Sequence, residues 1–360
     1  MINTLKREID KELKIFLAEV SRTYGLRERS AFLAEGIEDF IKREGKRIRP
    51  ILFLLAYQGY EKRKTCSHQG LLRASISFEL LHDFLLIHDD VIDRSSLRRG
   101  KPTLHYLFSS RLPAGRREDL GSSLGIVAGD VVFALAVSAF LAFDGRVESK
   151  GEALGKFLEA AAFTGVGEFM DIMNGLKNIR DIDEKDVFLT YEMKTAKYTF
   201  EMPLVTGAML AGAGKDDLKC LAGIGVKLGE AFQIIDDLQD MFMTSREIGK
   251  SALSDLVESK KTLAVYGALR ALKSKEKKRF SDLFDKKKKT KSDLYELKRL
   301  VIKSGSPLSC VERVRSLLDE VSFLISSLGM KKEFKKLLSG IMDKFRSNAD
   351  ELDKRIHNEI

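Results

Sequence analysis

Apolar residues recur along this chain at the spacing of helices, on one face or on all sides. The first 43 residues are predicted to form one or two amphipathic helices, because these apolar positions recur at helical spacing: Leu5, Ile9, Leu13, Phe16 and Leu17. Further helices are predicted at residues 51–60, 71–93, 121–145, 151–177, 185–212 and 217–242, followed by amphipathic helices to the C-terminus. No segment keeps the alternation typical of a strand, so we expect an all-α fold.

Polar segments separate these helices. Residues 94–102 and 245–261 bear Gly, Ser and charged side chains and are predicted to be loops, with a charged linker near 285–292. Pro is scarce (5 residues) and 44% of the residues are hydrophobic, which favours long helices and a large core. We interpret residues 1–360 as a single domain.

Two of the predicted helices end in an acidic motif of identical spacing. The helix over 71–93 ends in Asp89-Asp90-Val91-Ile92-Asp93, and the helix over 217–242 ends in Asp236-Asp237-Leu238-Gln239-Asp240. Residues four apart share a helix face, so each motif stacks two carboxylates. These carboxylates repel each other unless a cation lies between them. Hard oxygen ligands suit Mg²⁺, which commonly keeps substrate phosphates as further ligands. Two such carboxylate walls therefore predict a diphosphate held through Mg²⁺.

Charge and cysteine content narrow the class of protein. The formal net charge is +9, which suits an anionic substrate, and the basic residues are not interleaved with aromatic ones as a nucleic-acid site requires. Three dispersed cysteines favour a reducing cytoplasm over a disulfide framework: Cys66, Cys220 and Cys310. No uncharged apolar run reaches the length of a membrane span. We expect a soluble cytoplasmic protein that binds no nucleic acid. The run Lys286–Lys289 is interpreted as a solvated loop or helix end, with membrane contact as the alternative.

Five motifs together resemble the trans-isoprenyl diphosphate synthases, also called polyprenyl synthetases. They occur in the order of that family: Gly45-Lys46-Arg47-Ile48-Arg49-Pro50; His82 to Asp93 followed by Arg98-Arg99-Gly100-Lys101-Pro102-Thr103; Lys194-Thr195; Phe232 to Asp240; and Gly249-Lys250 with Lys260 beyond. One aspartate motif alone is weak, because terpene cyclases carry one. The chain departs from the family at Ser259 and Ala264, where a glycine and a proline are common.

The resemblance implies a fold and a reaction. The fold is a bundle of about a dozen helices around a deep central cavity, usually dimeric, so we expect a homodimer. The reaction is the Mg²⁺-dependent, head-to-tail condensation of isopentenyl diphosphate with an allylic diphosphate (dimethylallyl, geranyl or farnesyl). It releases diphosphate through an allylic cation. About three Mg²⁺ ions per site are implied, for which Mn²⁺ can substitute.

The resemblance also assigns roles to individual residues. Asp89, Asp93 and Asp236 are the principal metal ligands it implies, and Asp90, Asp237 and Asp240 are supporting ones. Four positions match the residues that hold isopentenyl diphosphate: Lys46, Arg49, His82 and Arg99. Arg98, Lys194 and Lys250 match those that hold the allylic diphosphate, and Lys260 adds charge nearby. Thr195 and Gln233 match positions beside the reacting carbons.

Product length depends on what closes the cavity below the first motif. Phe84 stands five residues before Asp89, about 7.5 Å down the helix, and Leu81 lies deeper. A single aromatic residue there, without an insertion in the motif, resembles geranylgeranyl (C20) synthases. The open alternatives are a farnesyl (C15) synthase, a longer-chain synthase and ordinary core packing of Phe84.

Other classes of protein are disfavoured by the same residues. A non-catalytic subunit of a heteromeric synthase usually lacks aspartates that both motifs here retain. A terpene cyclase would replace the second motif with an Asn/Ser/Glu triad, which this chain lacks. A basic nucleic-acid binder remains an alternative that a steep salt dependence of binding would reveal.

Overall fold

The computed structural model describes residues 1–113, 115–145, 147–248 and 252–360. In the first part of the chain the helices are α1 (Ile2–Thr23), α2 (Leu26–Ile41), α3 (Ile48–Tyr60), α4 (His68–Ile92), α5 (Leu104–Ser110), α6 (Arg117–Leu141) and α7 (Val147–Leu176). A 3₁₀ turn (Ile179–Asp181), α8 (Glu184–Tyr191), a π-helix (Glu192–Glu201), α9 (Met202–Leu210) and α10 (Lys215–Phe242) follow. The last helices are α11 (Ser245–Ile248), α12 (Ser254–Val257), α13 (Leu263–Ala271), α14 (Ser274–Phe284), α15 (Lys291–Lys303), α16 (Ser306–Ser327) and α17 (Lys332–His357). The all-α class expected from the sequence is confirmed.

Contacts divide the chain into two compact units. The first comprises residues Met1–Gly155 and Thr206–Ala213, and the second comprises Lys156–Val205 and Gly214–Ile360. Two of the three boundaries fall within helices, α7 and α9, and the third lies in the connection between α9 and α10. A single domain over residues 1–360 stays a prediction.

Aromatic rings from α3, α4 and α6 build the core of the first unit. The ring centroids of Phe53 and Phe78 are 4.7 Å apart, and those of Phe78 and Phe140 are 6.1 Å apart. Tyr57 meets Phe143 edge-on at 5.9 Å. These rings are fully or almost fully buried. They hold α4 against its neighbours, so the acidic end of α4 projects from a rigid base.

A two-residue hairpin interrupts the predicted loop 94–102. The strands β1 (Leu97–Arg98) and β2 (Lys101–Pro102) pair antiparallel, with Arg98 opposite Lys101. The connecting residues Arg99 and Gly100 both have positive φ, 55° and 72°. Two consecutive left-handed residues are typical of the tight hairpin turn that joins twisted strands, and glycine accommodates such a φ without strain. The hairpin folds Arg98 back towards α4.

In the second unit, α10 packs directly on the π-helix. A Cβ at Gly225 would lie 2.5 Å from the backbone N of Glu201, and a Cβ at Gly229 would lie 2.2 Å from the Cβ of Ala196. Two glycines four residues apart on one helix face therefore let the two backbones touch. This close contact fixes where the π-helix lies along α10, the helix that ends in the second acidic motif.

Several element boundaries differ from the predicted ones. Helix α4 begins three residues earlier than expected, because the Ser67 hydroxyl caps it by accepting from the Gly70 N–H at 2.9 Å. The predicted loop 245–261 contains α11 and α12. The predicted helix 185–212 is divided by the π-helix between α8 and α9.

Helix α6 is long and apolar enough to cross a membrane by length and composition, with a mean hydropathy of 2.2 in its most apolar window. Core helices of water-soluble proteins meet the same criteria, and 44% of that window is buried inside the protein.

Candidate active site

The first acidic motif lies at the C-terminal end of α4. Asp89 and Asp93 share one face, are half-buried, and bring carboxylate oxygens within 4.8 Å of one another. Asp90 points the other way and is fully buried. The negative end of the helix dipole disfavours all three charges. Burial raises the pKa of Asp90 to about 6 against the opposing effect of Arg98, and Asp89 and Asp93 add to the rise. The motif therefore attracts cations strongly.

Arg98 is a cation that already contacts this motif. Its Nε donates to Oδ1 of Asp90 at 2.8 Å and its Nη2 donates to Oδ2 of Asp89 at 3.0 Å. A guanidinium fork bridges neighbouring carboxylates well, because its N–H groups point in fixed directions. Arg98, expected to bind the allylic diphosphate, here steadies the aspartates, and its role towards that substrate stays a prediction.

A second basic group in the first unit surrounds the loop before α3. Gly45 lies against three charged side chains. A Cβ added at Gly45 would lie 3.3–3.4 Å from Nη1 of Arg47, Nη1 of Arg99 and Oε1 of Glu79. Arg47, in a left-handed conformation, donates to Oε1 of Glu79 at 2.7 Å and to Oδ1 of Asp10 at 2.8 Å. Arg47 was not among the predicted site residues. Its buried guanidinium anchors the loop and was not distinguishable by residue type from the flanking cations.

The residues expected to hold isopentenyl diphosphate lie in this same unit. Lys46 is exposed, Arg49 is buried and Arg99 is half-buried. Burial, followed by the charges of Arg49 and Arg99, lowers the pKa of His82 well below its usual value. His82 is therefore neutral at physiological pH and offers one N–H donor and one acceptor nitrogen. Its assigned role stays a prediction.

Asp83 is a buried carboxyl beside this basic group. It has no exposed surface, and neither oxygen has a hydrogen-bond partner in the part of the chain that the structure describes. Burial raises its pKa to about 8, Glu79 adds repulsion, and Arg99, Arg47 and Arg49 act in the opposite direction. Asp83 is therefore largely protonated near neutral pH.

The second acidic motif ends α10 and is supported differently. Asp236 is half-buried, whereas Asp237 and Asp240 are buried. Asp240 accepts from the Ser254 hydroxyl at 2.6 Å and from the Asp255 N–H at 3.2 Å, at the start of α12. Asp237 accepts from Nε2 of Gln233 at 2.8 Å and from the Tyr191 hydroxyl. Two of the three carboxylates are thus held by neutral donors.

The Lys194-Thr195 pair lies in the π-helix of the same unit. A Cβ at Gly167 would lie 2.4 Å from the backbone N of Lys194, so α7 approaches the π-helix closely here. The Lys194 ammonium contacts Glu168 and Asp171 of α7, each at 2.8 Å. Thr195 donates to Oε1 of Gln233 at 2.7 Å. The structure therefore joins the predicted residues Thr195 and Gln233 directly.

Of the remaining predicted cations, Lys260 has described contacts and Lys250 does not. Lys260 pairs with Glu258 at 2.9 Å and lies 3.8 Å from Asp255. Lys250 lies outside the described residues. Lys261, which was not predicted, is buried and donates to the carbonyl of Gly175 at the end of α7 at 2.9 Å. Burial lowers the pKa of Lys261 to about 8.

Comparison with known proteins identifies the family. The family model "Polyprenyl synthetase" matches residues 30–301. The chain belongs to the polyprenyl synthetase family. It is 30% identical over 236 residues to a geranylgeranyl diphosphate synthase of Sulfolobus acidocaldarius, covering 65% of this chain and 66% of that one. It is 30% identical over 312 residues to a geranylfarnesyl diphosphate synthase of Aeropyrum pernix, covering 84% and 90%.

A solved structure shares the fold across nearly the whole length. It is a geranylgeranyl pyrophosphate synthase from Corynebacterium glutamicum, with a TM-score of 0.89, 22% identity and coverage of 97% of this chain and 99% of that one. The resemblance drawn from the five motifs is confirmed, and this polyprenyl synthetase is a short-chain prenyltransferase.

The synthase has a paired aromatic contact below the first motif. Phe84 is half-buried, and its ring centroid lies 5.0 Å from that of Phe133 on α6 and 4.6 Å from that of His88. Leu81, expected to lie deeper in the cavity, is fully buried. Phe133 was missed because the sequence does not show which α6 residue faces Phe84.

Proposed function

We propose that this enzyme condenses isopentenyl diphosphate with an allylic diphosphate in a Mg²⁺-dependent reaction that releases diphosphate. One observation carries the proposal: the outward aspartates of both acidic motifs keep part of their surface exposed, and the inner aspartates accept hydrogen bonds from protein donors. Asp89, Asp93 and Asp236 are half-buried. Arg98 fixes Asp90, and hydroxyl and amide donors fix the inner aspartates of α10. An accessible carboxylate on a rigid support suits a hard divalent cation.

The residues fit Mg²⁺ by chemistry, since carboxylate oxygens at a helix C-terminus supply hard ligands and an excess of negative charge. When bound, Mg²⁺ would neutralise the allylic diphosphate and stabilise it as a leaving group. About three ions per site and replacement by Mn²⁺ are part of the proposal. The solved relative from Corynebacterium glutamicum was obtained with isoprenyl diphosphate and magnesium, which supports this choice of ligand.

The chain's own residues would then position the two substrates. Lys46, Arg49 and Arg99 supply the charges for one diphosphate, and neutral His82 adds a hydrogen bond without further charge repulsion. Lys194, Lys260 and Lys250 would supply the positive charges for the second diphosphate. Each of the first two already contacts carboxylates of its own unit, so substrate binding would exchange those partners. Thr195 and Gln233 present oxygen atoms suited to an allylic cation.

Incubation of the purified chain with isopentenyl diphosphate and each allylic primer tests the reaction. We expect product only with Mg²⁺ or Mn²⁺ present, because the diphosphate leaves poorly without charge neutralisation. Full activity in excess chelator would contradict the metal assignment. Binding of isopentenyl diphosphate without any product would instead support a non-catalytic subunit.

The favoured product is C20 geranylgeranyl diphosphate, with C15 or longer chains as alternatives. The support is Phe84, whose ring packs on Phe133 below the first motif. Relatives named for geranylgeranyl and for geranylfarnesyl products are both similar to this chain. The pair of rings is therefore proposed as the floor that ends elongation.

Phe84→Ala is expected to lengthen the product by at least one isoprene unit, because the growing tail enters the space that the ring leaves. Phe133→Ala should act in the same direction. The matched control is Phe143→Ala, which removes a buried core ring on Tyr57 and should lower stability by about 3–5 kcal/mol without changing product length. Chromatography of the products measures the chain length that each variant makes. An unchanged product from folded Phe84→Ala would place the floor elsewhere.

A homodimer in the cytoplasm is also proposed. Exposed apolar side chains on α6 support an interface with a second copy: Leu124, Ile126 and Val127. Exposed apolar surface of this kind commonly marks a protein interface. Light scattering of the purified chain measures the oligomeric state, and a monomer at micromolar concentration would contradict the proposal.

A further inference from the structure

A continuous chain of hydrogen bonds links four elements of the second unit. The backbone N–H of Leu263, at the start of α13, donates to the hydroxyl oxygen of Tyr191 at 2.8 Å. The Tyr191 hydroxyl bonds to Oδ2 of Asp237. Asp237 Oδ1 contacts Nε2 of Gln233 at 2.8 Å, and Oε1 of Gln233 contacts the Thr195 hydroxyl at 2.7 Å. The chain joins the end of α8, the π-helix, α10 and α13.

The direction of each bond follows from the two groups that allow only one role, the Leu263 N–H and the Asp237 carboxylate. A backbone N–H can only donate, so the Tyr191 oxygen accepts there and its single proton goes to Asp237. Burial, followed by the charge of Asp237, raises the pKa of Tyr191 well above 10, which keeps that proton in place. A carboxylate only accepts, so Gln233 turns its NH₂ group towards Asp237.

The amide oxygen of Gln233 therefore points away from Asp237 and accepts the Thr195 proton. With that proton used, Thr195 presents lone pairs to its remaining surroundings. The Thr195 hydroxyl and the Gln233 amide both present oxygen lone pairs, which stabilise positive charge. A reversed amide would present an NH₂ group and repel it. The Asp237 carboxylate thus sets the direction of the Gln233 amide, and the Tyr191 hydroxyl holds that carboxylate in place through its other oxygen.

We propose that Tyr191 is a positioning residue that, through Asp237, fixes the Gln233 amide with its oxygen towards the developing allylic cation. This inference rests on the proposed function. Asp237 then serves as an acceptor that orients Gln233 besides supporting the metal ligands. The position is rigid: Tyr191 and Thr195 are buried, and the neighbouring Ala196 touches Gly229 of α10.

Tyr191→Phe tests this inference, because it removes one hydroxyl and keeps the ring. We expect kcat to fall about tenfold or more while the KM for isopentenyl diphosphate stays within about twofold, as for loss of a charge-assisted hydrogen bond that orients a catalytic group. The matched control is Tyr57→Phe in the first unit. It also removes a buried hydroxyl, which is 3.1 Å from Thr65, and should leave kcat unchanged.

A double-mutant cycle separates positioning from general damage. If Tyr191 acts through Gln233, then Tyr191→Phe should change kcat by less than about twofold in a Gln233→Leu background. Additive losses would overturn the inference, and so would a wild-type kcat in Tyr191→Phe. Should Tyr191→Phe fail to fold, Asp237→Asn takes its place, since one end of its amide is a donor that conflicts with Tyr191 or Gln233.

A readout without turnover distinguishes this inference from the proposed reaction. The side-chain amide resonance of Gln233, identified by its loss in Gln233→Leu, should shift in Tyr191→Phe and stay in place in Tyr57→Phe. An inactive wild type showing that shift would refute the proposed reaction and keep the hydrogen-bond chain. An unmoved resonance together with an active wild type would refute the inference alone.

Discussion

In the first unit, Arg98 bridges Asp89 and Asp90 at the end of α4. About three helical turns below them on α4, Arg47 pairs with buried Glu79. In the second unit, the inner aspartates of α10 accept hydrogen bonds from neutral donors, which are the hydroxyls of Tyr191 and Ser254, the amide of Gln233 and a backbone N–H. The two motifs have the same spacing, yet the contacts seen among the described residues differ: a guanidinium bridges the first motif, whereas hydroxyl, amide and N–H donors reach the second.

The spacing of a motif therefore defines its outward ligands and leaves its support open. Buried ion pairs are strong only while both partners remain, whereas neutral hydrogen bonds depend little on pH and salt. We therefore expect the first motif to respond more to pH and to loss of a partner than the second.

The largest effect concerns the outward ligands, where the two motifs should behave alike. Asp89→Ala and Asp236→Ala should each lower kcat about a hundredfold or more, because each removes a ligand from a charge-stabilising site. Steady-state kinetics with saturating Mg²⁺ measures this. Asp216→Ala, an exposed residue in the first turn of α10, is the control and should keep full activity. Full activity of either Asp89→Ala or Asp236→Ala would show that the two motifs are not functionally equivalent.

The second effect concerns the supports, where the motifs should differ. Arg98→Ala leaves the Asp90 charge buried without its partner and should lower the free energy of unfolding by about 3 kcal/mol. Ser254→Ala removes one neutral donor to Asp240 and should cost about 1 kcal/mol. Urea denaturation without divalent ions measures both, with exposed Arg94→Ala as the control. Equal losses from the two variants would contradict the proposed difference between supports.

The last prediction concerns pH. The pKa of Asp83 is raised from 3.8 to about 8, chiefly by burial, so between these values the folded protein binds a proton that the unfolded chain lacks. The free energy of unfolding therefore falls as pH rises through that window. Asp83→Asn is neutral throughout and should gain stability relative to the wild type as pH rises.

Denaturation at about pH 5 and about pH 9 measures this difference in slope. Tyr191→Phe alters the neutral support and should leave the slope as in the wild type. Parallel stability curves for Asp83→Asn and the wild type would show that Asp83 is ionised in the folded protein.

Local pattern predicted most of the helices and both acidic motifs, because helical periodicity and carboxylate spacing are properties of neighbouring residues. It did not predict the hairpin at Arg98 to Lys101. That turn depends on positive φ at Arg99 and Gly100, and only the glycine indicates this in the sequence. It also missed the π-helix, which forms against Gly225 and Gly229 of a helix distant in sequence.

By itself, the sequence determined the all-α class, the family and which carboxylates stand four residues apart on a helix face. These follow from short-range spacing and from motifs in order. Only the tertiary structure decided that Arg98 turns to the aspartates, that Arg47 is a buried anchor, and that Tyr191 donates to Asp237. The physical reason is that a hydrogen bond or ion pair depends on the distance between two atoms. Residues 46 positions apart acquire that distance only when their helices pack.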